Sequence, residues 1–346
     1  MKRNRLFSLL TAGMLSLAAL TGCGGTGTGN SGSSADSTGS AASGDLPHIS
    51  LIQYVEHPSL DTIRESILAQ LEELGYKDGE TCTIDYKNAQ GETTTANTIV
   101  QKFAGDEADV VVAIATPVAQ TAATIAKDIP VVFSAVTDPI SAGLTSSLEK
   151  PDQNITGTSD AVMVNDILDL AKEFCPDMKT LGFLYCTGEA NSESNLEKVK
   201  AYCEENNLKL EVSGITNSSE VQQAAQVLFS KVDAVFIPND NTVASAMPAV
   251  SNEAIKAKVP VFTGADSMVG DGGLATNGIE YVDLGKETAN MVDQVLKGTD
   301  VSEIPVKVFE DDLSIFVNEE TAKALGIEIP ESISSDPNYK VKNSND

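Results

Sequence analysis

Polar residues able to hold a small charged molecule gather at the ends of short apolar runs. Thr116-Pro117 follows the run Val110–Ala115, and Val131-Val132-Phe133 gives way to Ser134, Thr137 and Asp138. Hydroxyl residues at helix starts leave backbone N–H groups free to meet an anion, so Thr116, and Ser134 with Thr137, are candidate anion donors. Gln120 follows in the same loop and helix as Thr116. Further along, Asp240 and Asp266 stand at strand ends where a cation can be paired, with Asn239 and Asn241 adding hydrogen bonds. Gln53, Tyr54 and His57 close the first apolar run, and Glu189 and Asn191 lie in the loop after Leu181–Cys186. Ser159 and Asp160 end the stretch Asn154–Asp160. Covalent chemistry has little to work with: no G-x-S-x-G occurs, no nucleophile stands with a base, and His48 and His57 are only nine residues apart. Neither histidine has another ligand type at metal spacing, so no transition metal and no cofactor is expected.

Elements must bring these residues to one edge. Val110–Ala115 has the length of a strand buried on both faces, as parallel-sheet strands are. Thr116 as N-cap with Pro117 at the first helical position starts a helix to about Ala126, and Pro130 precedes a second strand. The plan recurs from Asp233. Asp109 matches Asp233, Thr116 falls on Asp240 and Pro130-Val131 returns as Pro260-Val261, with six extra residues inside the second helix. Ahead of the first copy lie Ile49–Tyr54, Leu60–Leu74, Thr81–Tyr86 and Thr94–Phe103. Ahead of the second lie Leu181–Cys186, Ser194–Asn206, Leu208–Ser213 and Glu220–Phe229. Alternating strand and helix in each half predicts an α/β fold of two Rossmann-like parallel-sheet lobes. Right-handed crossovers put the strand C-termini of each lobe on one edge, and two such edges face to face make a cleft.

The N-terminus carries Lys2, Arg3 and Arg5, then an apolar segment Leu6–Leu20 too short and too broken for a comfortable membrane span; it predicts a secretion signal over 1–22. Leu20-Thr21-Gly22-Cys23 resembles the lipobox of bacterial lipoproteins, in which the cysteine is acylated, and predicts a membrane-anchored protein with lipid on Cys23. Residues 23–45 are a Gly/Ser-rich tether without a large apolar side chain, and their GTGTGN has no strand before it or helix after it to make a nucleotide loop. The chain holds 23 Lys+Arg against 50 Asp+Glu; losing the basic leader takes the net charge from −27 to −30. That balance argues against nucleic acid or anionic headgroups as partners. Cys82, Cys175, Cys186 and Cys203 match no metal pattern; scattered in apolar surroundings, they suit isolated thiols better than disulfides.

Asn154–Asp160, Gly272–Gly278 and a third segment within Val306–Val317 read as crossings between lobes, a three-strand hinge. IQYVEHPSLD, IATPVAQTAA, VFSAVTDPISAGL, NITGTSD, LYCTGEANS, IPNDNTVASA and GADSMVGDGGLAT, in this order from about Ile49 to Ile327, together resemble the ABC-transporter substrate-binding protein family that binds tryptophan, tyrosine or phenylalanine. Cys186-Thr187 departs from the Asn-Pro-like residues of relatives. The resemblance implies a type I periplasmic-binding-protein fold, closing by hinge motion around an amino-acid-like solute and passing it to an ABC permease with its ATPase. It implies no enzyme activity and a monomer.

A zwitterion needs an anion for its ammonium and donors for its carboxylate, which suits the candidate residues above. Tyr54, Tyr185 and Tyr281 can stack on an aromatic side chain or pack within the lobes. An aliphatic amino acid or another small polar solute stays open, as does a sensory protein presenting its ligand to a signalling partner; the absence of Trp weakens a sugar reading. The expected division is lobe 1 at 46–157 with 278–306, lobe 2 at 158–277 with 307–335, and a polar tail at 336–346.

Overall fold

The structure, a computed structural model, describes residues 46–310 and 313–344; the predicted leader, Cys23 and the tether lie outside the described residues. The chain runs β1 (His48–Gln53), α1 (Pro58–Glu73), β2 (Thr83–Asn88), α2 (Thr93–Gly105), β3 (Val110–Ile114), α3 (Thr116–Ile125), β4 (Val131–Ser134) and β5 (Ile155–Ser159). It continues through α4 (Val164–Phe174), β6 (Thr180–Cys186), α5 (Ala190–Glu205), β7 (Lys209–Ile215), α6 (Val221–Phe229), β8 (Ala234–Ile237), α7 (Asn241–Ala244), α8 (Met247–Ala257) and β9 (Val261–Thr263). The last part is α9 (Asp266–Gly270), β10 (Ala275–Gly278), α10 (Tyr281–Leu296), β11 (Lys307–Val308), β12 (Ser314–Val317), α11 (Glu319–Leu325), α12 (Glu331–Ser334) and β13 (Tyr339–Val341).

These strands form two sheets, ordered β11-β5-β4-β3-β1-β2 and β13-β12-β10-β9-β8-β6-β7. Among them β12 runs antiparallel to β10, while the ladders that build the two lobes are parallel. β3 and β8 are buried along their whole length, which is why each reads as an unbroken apolar run. Register brings the strand ends level: Gln53 pairs with Ile114, and Ile114 with Ser134. The second sheet repeats this, with Ile237 paired to Thr263. Helix α10 returns to the first sheet and packs along α1. The approach is close enough that a Cβ on Gly285 would lie 2.8 Å from the Ile63 carbonyl oxygen.

Four local expectations differ from what forms. Thr116 is not the N-cap of α3: Ala115, at φ 88°, precedes the helix and Thr116 sits in its first turn. The Ala115 N–H still donates to Ser134 O in the ladder, so the chain reverses at Ala115. The single helix expected after Asp240 is two, α7 and α8, because Pro248 near the start of α8 has no N–H to continue the first. Residues 158–159 and 307–308 pair with each other as part of the first sheet, so those crossings fall slightly later than the expected division. The segment read as a polar tail contributes β13, which pairs with β12 at the edge of the second sheet. Cys82, Cys175, Cys186 and Cys203 are free thiols.

Candidate functional site

Between the two sets of strand ends lies a small cavity lined from both lobes. The first lobe lines it with His57, Ser59, Leu60, Ala135, Thr137 and Tyr281. The second contributes Asn191, Asn239, Asn241, Ala244, Ala265 and Met268, and Asp160 enters from the segment leaving β5.

Asp160 is the carboxylate of this cavity. It is 6 % exposed, and its oxygens accept from Thr137 Oγ1 at 3.1 Å, Asn239 Nδ2 at 2.7 Å and Tyr281 OH at 3.1 Å. A carboxylate has about four lone-pair sites, so these donors leave room for another. Burial pushes its pKa up to about 6, against the pull of the three donors. A cation entering the cavity would supply what the desolvated anion lacks. The Tyr281 phenol is pushed well above its ordinary pKa by burial and by Asp160, and acts as a donor.

Contacts between lobes close the cavity. Asn239 Nδ2 reaches Thr137 Oγ1 at 2.7 Å as well as Asp160, and Asn195 Nδ2 holds Asn239 Oδ1 from behind at 3.3 Å. His57 Nε2 meets Asn241 Oδ1 at 3.3 Å, and Ser59 shares a hydrogen bond with Ser267. Helix α1 starts at this wall with His57 in the N-cap position and no side chain capping it. Its N-terminal N–H groups and dipole favour an anion beside Ser59 and Leu60.

Of the residues singled out from sequence, His57, Thr137, Asp160, Asn191, Asn239 and Asn241 converge on the cavity. The others stand behind it or away from it. Asp240 is the N-cap of α7, accepting from Val243 N at 2.8 Å, Cys186 N at 2.7 Å and Ser192 Oγ at 2.6 Å. Burial first, and then the neighbouring Glu189, raise its pKa to about 8. Glu189 is likewise spent on protein donors, the Asn241 and Thr242 amides among them. Gln53 bonds Asp61 and Arg64 at the base of α1, and Tyr54 OH donates to Gly91 O. Ser134 joins Thr288 and Thr158 in a buried hydroxyl cluster, and Ser159 Oγ donates to Thr137 O. Gln120 donates to Ala142 O, Asp138 caps the turn at Ser141, and Asp266 pairs with Lys342 at 3.3 Å. The Thr116 hydroxyl is buried and has no hydrogen-bond partner. Tyr185 packs on Phe183 inside the second lobe, with ring centroids 5.4 Å apart. Cys186 lies in an outer groove with Tyr54, away from the cavity.

The cavity also uses Ser59, Leu60, Ala135, Ala244, Ala265 and Met268, which sequence chemistry does not mark. Their common signal is position: Ala135 and Ala265 sit one or two residues beyond β4 and β9.

Residues 48–341 match the family model for ABC transporter substrate binding proteins. The chain belongs to that family. This substrate-binding protein is therefore an extracytoplasmic, non-enzymatic ligand binder that serves a transporter permease. A tyrosine-binding protein of Clostridioides difficile is 39 % identical over 327 residues, 94 % of each chain. A Streptococcus pneumonia domain in complex with L-Trp is 40 % identical with TM-score 0.82, over 86 % of this chain and 99 % of its own. A ligand-free, open substrate-binding protein with adhesive properties from Clostridium difficile is 43 % identical, over 86 % of this chain and 100 % of its own, yet has TM-score 0.65. Better superposition on the complex than on the more similar open form accords with the contacts that join the lobes here. Among the described residues no helix is long and apolar enough to cross a membrane.

Proposed function

We propose that this substrate-binding protein captures a free aromatic amino acid in the interlobe cavity and delivers it to an ABC permease as the lobes part. The observation that carries the reading is Asp160, a buried carboxylate facing an enclosed space beside Tyr281 and the uncapped start of α1. The ligand ammonium pairs with Asp160, its carboxylate meets the α1 N-terminus, and its ring lies among Leu60, Met268 and Tyr281. Charge-assisted bonds of roughly 1.5–3 kcal/mol each, with ring burial, reach micromolar affinity, about −8 kcal/mol, after association costs. The tyrosine and tryptophan named for the relatives support the same class. Isothermal titration of protein lacking residues 1–23 with tyrosine, tryptophan and phenylalanine tests it. Heat from at least one, with a thermal upshift, is expected; silence from all three overturns it.

The mature protein is a monomer held at the membrane by lipid on Cys23, with residues 24–45 as its leash. The charged n-region, short apolar segment and Leu20-Thr21-Gly22-Cys23 support this. Cys23→Ala is expected to release the protein from the membrane fraction. Unaltered fractionation, or an unmodified Cys23 by mass spectrometry, removes the anchor. The lobes divide near 159, 278 and 308, where the chain leaves one sheet for the other.

A further inference from the structure

Glu189 does not line the cavity, yet its bonds reach two side chains that do. Its carboxylate, 1 % exposed, accepts from Asn241 N at 3.0 Å, Thr242 N at 2.8 Å and Thr242 Oγ1 at 2.7 Å. It also takes Asn241 Nδ2 at 2.6 Å and Asn191 Nδ2 at 3.1 Å. A carboxylate accepts only, so both asparagine amides must turn their NH2 groups toward it. The carbonyl ends then point the other way. Asn191 Oδ1 is buried without a partner, and Asn241 Oδ1 faces His57 Nε2 at 3.3 Å.

That second contact fixes a tautomer. Asn241 Oδ1 can only accept, so His57 Nε2 carries the proton and donates. Burial keeps the ring neutral. A neutral imidazole protonated at Nε2 has a bare Nδ1, and His57 Nδ1 is buried and unpartnered. Glu189 thus fixes the sense of Asn241 and, through it, of His57, and shares the Asn191 NH2 group with the Asn239 carbonyl oxygen at 3.1 Å. All are turned to accept, and Asp160 is an acceptor already.

We infer that Glu189 is a positioning residue that sets the hydrogen-bond polarity of the cavity, presenting Asn191 Oδ1 and His57 Nδ1 as acceptors alongside Asp160 so that the site selects a ligand bearing a primary ammonium. This rests on the amino-acid reading above and deepens it. Buried acceptors left without donors are costly, so a ligand of the same shape that lacks the ammonium is rejected.

The test compares tryptophan with 3-(indol-3-yl)propionate, and tyrosine with its deaminated analogue, by isothermal titration on wild type and Glu189→Gln. The wild type is expected to prefer the amino acid by a hundredfold or more. Glu189→Gln brings its own NH2 group, lets the Asn241 amide and with it the His57 tautomer reverse, and is expected to cut that preference at least tenfold. Equal loss of affinity for both ligands, leaving the preference intact, marks a merely structural role and overturns the inference. Binding of no aromatic amino acid by the wild type overturns the underlying reading instead, and the inference with it. A second measurement does not depend on the variant folding. With His48 and His57 the only histidines, ¹⁵N-histidine spectra of the wild type report the His57 tautomer directly. A neutral ring protonated at Nε2 is expected; protonation at Nδ1 overturns the proposal.

Discussion

The two walls of the cavity are built on opposite principles. The second-lobe wall is a closed polar network. Asp240 and Glu189 are held by protein donors behind the cavity, Ser192 and Asn195 reinforce them, and their work is to aim Asn191, Asn239 and Asn241. The first-lobe wall has no carboxylate of its own and presents hydroxyls, a neutral imidazole, an uncapped helix start and the apolar Leu60. Asp160 stands where the chain leaves one lobe for the other. Three buried acids therefore divide into two that hold the wall and one that faces the cavity. What separates them is place: Asp160 lines the cavity, whereas Asp240 and Glu189 stand behind it.

The sharpest way to break this comparison is to exchange the expected losses. Asp240→Ala strips a helix cap and leaves the Cys186 and Val243 amides and the Ser192 hydroxyl without an acceptor. A loss of about 3 kcal/mol in unfolding free energy is expected by urea denaturation. If stability holds and only binding suffers, Asp240 belongs to the site after all. Asp160→Asn keeps the shape but removes the charge. Affinity for tyrosine or tryptophan is expected to fall by about ten- to a hundredfold in calorimetry, roughly 1.5–3 kcal/mol, with little change in stability. A preserved dissociation constant would place the ammonium elsewhere.

Proton linkage sharpens the same point. Burial raises Asp160 from its ordinary range to about 6, so below that pH the carboxyl holds a proton that the ammonium must displace. Affinity is therefore expected to be full near pH 7.5 and about tenfold weaker at pH 5, with a proton released on binding in the acid range. A flat profile over that interval would separate Asp160 from the ligand. The smallest effect belongs to the contact of Ser59 with Ser267 across the lobes. Ser267→Ala is expected to weaken binding by a fewfold, about 1 kcal/mol or less, through a less favoured closed state. A tenfold loss would mean that this edge of the cleft does more than latch.

Much of the architecture was legible because burial on both faces leaves a plain trace. VVVAI and AVFI could hardly be anything but inner parallel strands, and the duplicated spacing around them gave two lobes and their facing edges. Six of the candidates, picked for standing at strand ends, line the cavity. Asp240 and Glu189 lie behind it for a physical reason: a strand end is crowded with backbone donors, and a carboxylate there can serve those donors as readily as a ligand. Asp240 and Glu189 look like ammonium partners from their type and place, but only coordinates reveal the Cys186, Val243, Asn241 and Thr242 amides that claim them. Ala135, Ala244 and Ala265 carry no chemical mark at all; they matter by being small where the walls meet.

Enclosure has a mechanical consequence. His57 on Asn241, Thr137 on Asn239 and Ser59 on Ser267 tie the two lobes across the mouth of the cavity, so parting the lobes breaks all three. A permease that parts the lobes would break the same three contacts that hold the cavity together.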